Sequence, residues 1–450
     1  MDDVRTALHG VLPQVRADLE RLVRIPSVSA DPSAALHVRA SADEVARQLE
    51  ASGLREVQVL AAGGGLPAVI GHRRAVAGAP TVLLYAHHDV QPVGDARKWT
   101  SDPFVAVERN GRLYGRGAAD DKAGVAVHCA ALRTLEAVGD AAGVGVVVLV
   151  EGEEEIGSPT LPALLAEHHD RLAADVLVLA DSTNWRIGVP TLTTSLRGGV
   201  SVVIEVATLD HAVHNGVYGG PVPDALTALA RLLATLHDDR GDVAIRGLAH
   251  ESAHPLDLGD DRFRTEAGVL DGVRLLGTGA LTSRLWTRPA VSVVGIDAPP
   301  VDGAGMVLVP TARAKLALRI APGDDAAAAR EALVSHLQAH VPWGARLRID
   351  AGEPVEPFRA TTTGAGYAAA RAAFADAWGV PPVEVGVGGS IGFLAPFVRA
   401  FPEAEVLITG VEDPDTRAHA PNESLHLADF ERACLAEALL LQRLAGGAGR

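Results

Sequence analysis

Residues 81–92 read TVLLYAHHDVQP, and this stretch decides how the rest of the chain is interpreted. Its first six residues are almost uninterruptedly apolar, which is typical of a strand buried on both faces of a parallel sheet. His87, His88 and Asp89 follow where the strand is expected to end. Ligands of open parallel sheets bind beyond the carboxyl ends of the strands, so this stretch predicts a binding site at that edge.

Other apolar runs along the chain also end in polar residues that could bind a ligand. Residues 144–150 (VGVVVLV) lead to Glu151–Glu155, residues 175–180 (DVLVLA) lead to Asp181, and residues 405–409 (EVLIT) lead by a short loop to His419. Because these endings can converge on one crevice, the sequence predicts an α/β fold with one site at the edge of its sheet.

The chain is expected to form two domains, one of them discontinuous. Residues 1 to about 187 alternate apolar runs with helical patterns, which predicts a mixed, largely parallel sheet flanked by helices. From about Pro190 the pattern changes to alternating strands such as residues 200–206 (VSVVIEV), and an α/β pattern resumes near Thr363. We therefore predict a catalytic domain of residues 1–187 and 356–450, with an α+β domain of residues 188–355 inserted into it.

Composition excludes several classes of protein. The 450 residues are 48% hydrophobic, enough for two cores, and carry 56 acidic against 40 basic residues. This net charge of −16 argues against nucleic acid as a partner. The acidic start of the chain lacks the features of a signal peptide, and no apolar run could span a bilayer. Cys129 and Cys434 form no paired motif, so we expect reduced thiols and a cytoplasmic protein with no membrane partner.

The residue types at the strand ends indicate metal chemistry. Imidazoles and carboxylates without thiolates suit zinc or manganese in an open catalytic site. Two such metals can hold a hydroxide, polarise a carbonyl and neutralise the oxyanion that forms. Adjacent Glu154 and Glu155 can divide the tasks of general base and ligand. Asp89 could accept the second imidazole proton of His87 and fix its tautomer.

Each of these residues also has an ordinary structural interpretation. A single histidine after a strand is more often a hydrogen-bonded loop residue, and the Glu151–Glu155 run alone is usually a solvated surface. Asp120, at the start of the helix predicted for residues 121–138, could simply be an N-cap. The occurrence of acids and histidines at successive strand ends nevertheless favours a metal site.

Five motifs resemble one known family in order and spacing. They are TVLLYAHHDVQP at 81–92, LYGRGAADDKAG at 113–124, EGEEEIGS at 151–158, LADS at 179–182 and HAPNES at 419–424. The chain is thereby similar to the di-zinc aminopeptidase-like family of carnosinases, cytosolic non-specific dipeptidase, carboxypeptidase G, succinyl-diaminopimelate desuccinylase and acetylornithine deacetylase. The resemblance covers nearly the whole chain and is strongest to the dipeptidase branch.

This resemblance implies two divalent metal ions per chain, zinc first, with manganese or cobalt as alternatives. It implies that His87 and Asp181 bind one metal, that Glu155 and His419 bind the other, and that Asp120 bridges both. In the same family, the residue matching Glu154 is the general base, and the one matching Asp89 orients the first histidine. The resemblance also implies a cis peptide bond between Asp120 and Asp121.

Substrate-binding residues are implied for the inserted domain as well. Residues 209–220 (LDHAVHNGVYGG) resemble an element in which His214 would face the substrate, although Ala212 stands where the family has an aspartate. Asn215 likewise replaces a serine, and Asp210 is the nearest acid.

Two further elements of the family match this chain. Arg319 matches an arginine that grips the substrate carboxylate. Residues 388–390, with Gly389 and Ser390, match a substrate-binding loop. Gly386 and Val387 replace the Arg-Glu pair of carnosinases, and Gly392 stands where proline is common, which leaves substrate preference open.

The sequence therefore predicts a metal-dependent hydrolase that cuts the amide bond of dipeptides or small peptides. The same site would serve an N-acyl amino acid amidohydrolase, such as a deacylase, desuccinylase or carbamoylase. A non-catalytic binding protein with the same fold is a third reading, but Glu154 and all the implied ligands are present. The inserted domain is expected to act as a lid and to form a homodimer, in which His214 reaches the active site of the partner.

Overall fold

A computed structural model describes residues 1–139, 143–252, 256, 258–389 and 391–447. These residues divide into two compact units. The first comprises Met1–Thr194, Ala360–Val385 and the chain from Gly392 onward, and the second comprises Ser195–Arg359 and Gly386–Ile391. The sequence placed domain boundaries at 187/188 and 355/356 and did not indicate that residues 386–391 belong with the second unit. Whether the second unit serves as a lid and dimerisation domain stays a prediction.

The helices of the described residues are α1 (Asp2–Val23), α2 (Ala35–Ala51), α3 (Lys122–Val138), α4 (Leu161–Glu167), α5 (His169–Leu172), α6 (Asn215–Tyr218), α7 (Ala225–Ala234), α8 (Asp260–Glu266), α9 (Leu281–Trp286), α10 (Ala326–His340), α11 (Ala365–Trp378), α12 (Leu394–Ala400) and α13 (Leu427–Gly447).

The strands are β1 (Arg55–Leu60), β2 (Ala68–Arg73), β3 (Thr81–His87), β4 (Val107–Arg109), β5 (Arg112–Tyr114), β6 (Gly145–Glu151), β7 (Val176–Leu179), β8 (Thr191–Leu196), β9 (Gly198–Ala207), β10 (Val213–His214), β11 (Ala290–Asp297), β12 (Val307–Leu308), β13 (Thr311–Ile320), β14 (Arg346–Ala351), β15 (Phe358–Arg359), β16 (Val383–Val387), β17 (Glu405–Ile408) and β18 (Ser424–His426).

The main sheet of the first unit is parallel at its centre and antiparallel at its margins. Its order is β1-β2-β6-β3-β7-β17-β8, with β3 parallel to both β6 and β7 and β17 parallel to β7. Every residue of β6 is buried, because helices pack on both faces of the sheet and leave no solvated side. The predicted α/β fold is confirmed.

Helix α3 begins immediately after the pair of aspartates. Asp121 is its N-cap, and its carboxylate accepts the backbone N–H of Gly124 at 3.2 Å. Asp120 is thus not the capping residue. The Asp121 carboxylate satisfies one of the N–H groups that have no partner within the helix at the start of α3. The side chain of Asp120 is therefore available for another role.

The second unit contains an antiparallel sheet of order β11-β13-β9-β14. Buried and less buried residues alternate along β9, since one face of this sheet packs against α7 and α10 while the other does not. A short antiparallel pairing joins β10 to β12, which are distant in sequence. This alternation matches the pattern that the sequence showed for residues 200–206.

Two predictions concern the cysteines and the membrane. Cys129 and Cys434 are both buried and free, as expected from the lack of a paired motif. Within the described ranges, no helix has both the length and the apolar character that a membrane span requires.

Candidate metal centre

The predicted ligands come from the ends of neighbouring strands of the first unit. His87 is the last residue of β3, Asp181 follows β7, and Glu155 lies in a helical turn after β6. His419 lies in the loop between β17 and β18, and Asp120 precedes α3. The parallel centre of the sheet brings these chain ends to one edge, as the strand-end pattern predicted.

These residues form two adjacent groups that share one carboxylate. His87, Asp120 and Asp181 offer ligand atoms within 4.8 Å of one another, and so do Asp120, Glu155 and His419. The Nε2 atom of His87 lies 3.1 Å from Oδ1 of Asp120, whereas Nε2 of His419 lies 2.8 Å from Oδ2. Each oxygen of Asp120 therefore faces a different group, which is the arrangement that a bridging ligand needs.

Asp89 contacts the imidazole of His87, as the sequence predicted, and also two backbone N–H groups. Nδ1 of His87 is 3.1 Å from the backbone carbonyl of Asp89 and 3.4 Å from its carboxylate. The same carboxylate accepts the backbone N–H groups of Glu154 at 3.2 Å and of Glu155 at 3.1 Å. One buried aspartate thus orients both the histidine and the turn that carries the two glutamates.

The two adjacent glutamates face different surroundings. Glu154 lies outside both ligand groups, with Oε2 3.9 Å from Nε2 of His87. Glu155 accepts the backbone N–H of Gln91 at 3.0 Å and its side-chain amide at 2.8 Å, which aims the Glu155 carboxylate at His419. Gln91 was not among the residues that the sequence singled out.

A second residue that the sequence did not indicate holds Asp120, the carboxylate shared by both groups, in place. Glu423 is fully buried, and one of its oxygens accepts the N–H groups of Ala119 at 3.0 Å and Asp120 at 3.2 Å. Its other oxygen accepts from Gly117 at 3.0 Å and from Arg116 at 2.6 Å. Glu423 belongs to the HAPNES motif, so its position beside His419 was the available signal. The peptide bond between Asp120 and Asp121 is cis, as the family resemblance implied.

The centre concentrates negative charge. Burial raises the pKa of Asp181 to about 8 and that of Glu154 to about 7. Glu412, which accepts a hydrogen bond from Thr183 at 2.9 Å, has its pKa raised well above the usual range by burial and by the charges of Asp120 and Asp181. Glu412 is a further acid that the sequence did not indicate.

The pKa values of His419 and Asp120 are shifted in opposite directions. Hydrogen bonds to Asp120 and Glu155 raise the pKa of His419 to about 10. For Asp120, burial opposes ionisation, but hydrogen bonds to His419 and His87 outweigh it and lower its pKa. Crowded oxygen and imidazole donors of this kind, without thiolates, fit divalent metal ions, whose charge would relieve the repulsion between the carboxylates.

The remaining predicted residues lie in the second unit or outside the described residues. His214 ends β10 and is exposed, and its Nδ1 atom accepts the N–H of Gly216 at 3.0 Å. Asp210, the nearest acid, instead pairs with His211. Arg319 lies on β13 opposite Gly199, and Gly389 lies in the short segment that joins the second unit. Ser390 lies outside the described residues.

Known proteins resemble this chain along most of its length. The family model described as Peptidase family M20/M25/M40 matches residues 83–443. A cysteinylglycine-S-conjugate dipeptidase from Corynebacterium striatum is 38% identical over 83% of this chain and 83% of its own length. The Cys-Gly metallodipeptidase DUG1 from Saccharomyces cerevisiae is 28% identical over 94% of each chain.

Solved structures share the fold. Human carnosine dipeptidase 1 superimposes with a TM-score of 0.80 at 23% identity, covering 99% of this chain and 98% of that one. The family that the five motifs suggested is thus confirmed by an independent match over residues 83–443 and by a relative above 30% identity. The chain belongs to peptidase family M20/M25/M40.

Proposed function

We propose that this protein is a metal-dependent dipeptidase. The observation that carries the proposal is the pair of ligand groups sharing Asp120, with Glu154 beside them but outside both. Relatives matched over most of their length carry the names of dipeptidases, including those for Cys-Gly and its S-conjugates. Dipeptides with a free carboxylate, Cys-Gly among them, are therefore the proposed substrates.

Two divalent metal ions per chain are proposed, with zinc as the first candidate. His87, Asp120 and Asp181 would hold one, and Asp120, Glu155 and His419 the other. When bound, such ions supply Lewis-acid polarisation of the substrate carbonyl and lower the pKa of water. Manganese and cobalt also accept imidazole and carboxylate ligands and stay as alternatives.

Glu154 is proposed as the general base. A carboxylate that does not bind metal can take the proton of the attacking water and pass it to the leaving amine. Burial raises the pKa of Glu154 toward neutrality, which suits a group that must both accept and release a proton. Asp89 would position this glutamate through its hydrogen bond to the Glu154 backbone N–H.

Residues of the second unit are proposed to bind the substrate. By family resemblance, Arg319 would pair with the substrate carboxylate, and Gly389 and Ser390 would contact the substrate through their loop. The free thiols support a cytoplasmic location, which we likewise propose.

A homodimer formed through the second unit is also proposed. Its edge strand β11 exposes apolar side chains, with Val293 at 45%, Val294 at 56% and Ile296 at 54% exposure. An exposed apolar edge strand invites pairing with a second chain. In such a dimer, His214 would donate a hydrogen bond to the oxyanion in the partner's active site.

A substrate panel tests the proposed activity. Purified protein is loaded with Zn(II), Mn(II) or Co(II) and assayed on Cys-Gly, other Xaa-Gly dipeptides and β-Ala-His, alongside N-acetyl, N-succinyl and N-carbamoyl amino acids. The dipeptides should be cleaved with kcat/KM at least about tenfold above the N-acyl compounds. A higher kcat/KM for the N-acyl compounds than for the dipeptides would identify an amidohydrolase. Metal binding without hydrolysis of any compound would identify a binding protein.

Complementation tests the role of His214. Inactive His214→Ala and inactive Glu154→Ala chains are mixed under conditions that exchange subunits. If His214 acts on the partner, one site of each hybrid dimer is complete, so random reassembly restores roughly a quarter of wild-type activity. No recovery, with exchange verified by differently labelled chains, would assign His214 to its own chain.

A further inference from the structure

A polar cavity lies in the first unit, beside the loop that carries His419. It has a volume of about 440 Å³. Its walls come from a small antiparallel sheet of order β18-β5-β4 and from the loops that precede β4 and β18. The lining residues are Thr100, Arg109, Arg112, Tyr114, Asp415, Arg417, Asn422 and Ser424. None of them belongs to the ligand groups of the metal centre.

The charge of the cavity wall favours an anion. Arg112 is neutralised by Asp413, with which it forms a buried ion pair at 2.9 Å. Two further guanidinium groups, those of Arg109 and Arg417, face only one carboxylate of the lining, that of Asp415. The ion pairs of the described residues include neither Arg109 nor Arg417. The wall therefore keeps a net positive charge.

Arg109 is held in place by neutral partners. Its guanidinium donates to Oγ of Ser101 at 3.2 Å and lies over the ring of Tyr114, 4.1 Å from the centroid. These contacts restrict the Arg109 side chain but do not neutralise its positive charge. Further donors and acceptors in the lining are the hydroxyl groups of Thr100, Tyr114 and Ser424. A guanidinium group held among neutral donors, as that of Arg109 is, is a common partner of oxyanions in proteins.

The cavity shares a loop with the metal centre. Arg417 faces the cavity, whereas His419, two residues later, lies 3.2 Å from Glu155 and 2.8 Å from Asp120. Asn422 fastens the far end of this loop, since its side chain accepts from the N–H of Thr100 and donates to the carbonyl of Lys98, both at 2.8 Å. A ligand that joins Arg417 to Arg109 would therefore restrain the segment that positions His419.

We propose that this cavity binds a small oxyanion, of the phosphate or sulfate class, and that the bound anion slows loss of metal from the His419 group. The coupling acts through the shared loop. Coupling of this kind is reciprocal, so a metal ion held by His419 also strengthens binding of the anion.

Direct binding is the first test, with sulfate as the probe. Radiolabelled sulfate is dialysed to equilibrium against the metal-loaded protein at an ionic strength held constant with NaCl. We expect saturable binding of one sulfate per cavity. Arg109→Gln and Arg417→Gln should each weaken this binding by at least about tenfold, because each removes a charge-assisted hydrogen bond.

The control variant is Arg399→Gln, which removes an exposed arginine of α12 away from the cavity and should leave sulfate binding unchanged. Thermal unfolding midpoints within about 2 °C of wild type would show that all variants are folded. Sulfate held at the metal centre would survive both cavity substitutions. That result, or the absence of saturable binding, would overturn the proposal.

Metal release is the second test. The transfer of metal to a chromophoric chelator is followed with and without saturating sulfate. We expect metal to leave in two phases, the faster one from the group that contains His419. Sulfate should slow this faster phase at least about fivefold in wild type and should have no effect on it in Arg417→Gln. Equal release rates in wild type with and without bound sulfate would overturn the coupling between the cavity and His419.

Discussion

The two candidate ligand groups of the proposed metal centre are built by different parts of the fold. His87 ends a central strand and is fully buried, and its ring is fixed by Asp89 and Asp120. His419 lies in a loop with its side chain 57% exposed, and its backbone is in the left-handed region at a φ of 61°. We call these the strand group (His87, Asp120, Asp181) and the loop group (Asp120, Glu155, His419).

This difference predicts that the strand group would retain a metal ion longer than the loop group. The strand group is enclosed by residues that cannot move without disturbing the core of the sheet. The loop group depends on hydrogen bonds that fasten an exposed segment, and exposed segments open more readily than core strands. The two groups are nevertheless tied together, because Asp120 belongs to both.

Substitution of Asp120 should have the largest effect, because it removes the residue that joins the two groups. In Asp120→Ala, both groups lose a carboxylate, and the repulsion between two dications is no longer offset. We expect less than one metal per chain and a fall in kcat/KM of about ten-thousandfold or more. Elemental analysis and a dipeptidase assay on the same sample provide the measurement.

Asp170→Ala is the matched control, since Asp170 is fully exposed and should affect neither quantity. Two metals retained per chain in Asp120→Ala would contradict the shared role of Asp120.

Glu154→Gln should lower turnover while leaving both groups assembled. An amide cannot accept the proton of the attacking water, so we expect kcat to fall by about a thousandfold. The metal content should equal that of wild type, because Glu154 lies outside both groups. Loss of metal from this variant would show that Glu154 is a ligand, and Glu167→Gln on the exposed side of α4 serves as the control.

Metal release should separate the strand group from the loop group. We expect wild-type protein to lose metal to a chelator in two phases, with the faster phase about tenfold quicker because the loop group opens more readily. His419→Ala should abolish the faster phase.

His87→Ala should lower the unfolding midpoint more than His419→Ala does, because it leaves a buried cavity and unpaired carboxylates. A single release phase, or equal loss of stability in the two variants, would contradict the comparison.

The pH dependence of the metal-free protein should report on Asp181, which belongs to the strand group alone. Its folded-state pKa is raised to about 8 by burial, so between about pH 4 and pH 8 the folded protein holds a proton that the unfolded chain has released. Asp181 therefore costs the folded state more stability as pH rises through this window. Metal-free Asp181→Asn should unfold a few °C above wild type at pH 8, with a smaller difference at pH 5.

In the metal-loaded protein, wild type should unfold at a higher temperature than Asp181→Asn, because wild type gains a ligand interaction that the asparagine variant lacks. Glu155→Gln is the counterpart from the loop group. It should not stabilise the metal-free protein, since the Glu155 carboxylate accepts two hydrogen bonds from Gln91 and lies 3.2 Å from His419. A constant difference between wild type and Asp181→Asn from pH 5 to pH 8 would refute the role of burial.

The sequence by itself determined the fold class and predicted which residues would bind metal. Buried strands such as β3 and β6 are short apolar runs, and such runs are local features that can be recognised without coordinates. The rule that ligands bind beyond parallel strand ends pointed to His87, Asp181, His419 and the run Glu151–Glu155. The family resemblance then implied which of these residues bind metal and added Asp120.

Only the tertiary structure decided which residues hold those ligands in place. Glu423 accepts hydrogen bonds from the segment before α3, although the two lie more than 300 positions apart in sequence. Glu412 approaches Asp181 from a loop that is likewise distant in sequence. Arg109 and Arg417 likewise meet at one cavity from opposite ends of the chain. Hydrogen bonds and Coulomb interactions depend on distance in space, and neither periodicity nor local spacing encodes that distance for residues so far apart in sequence.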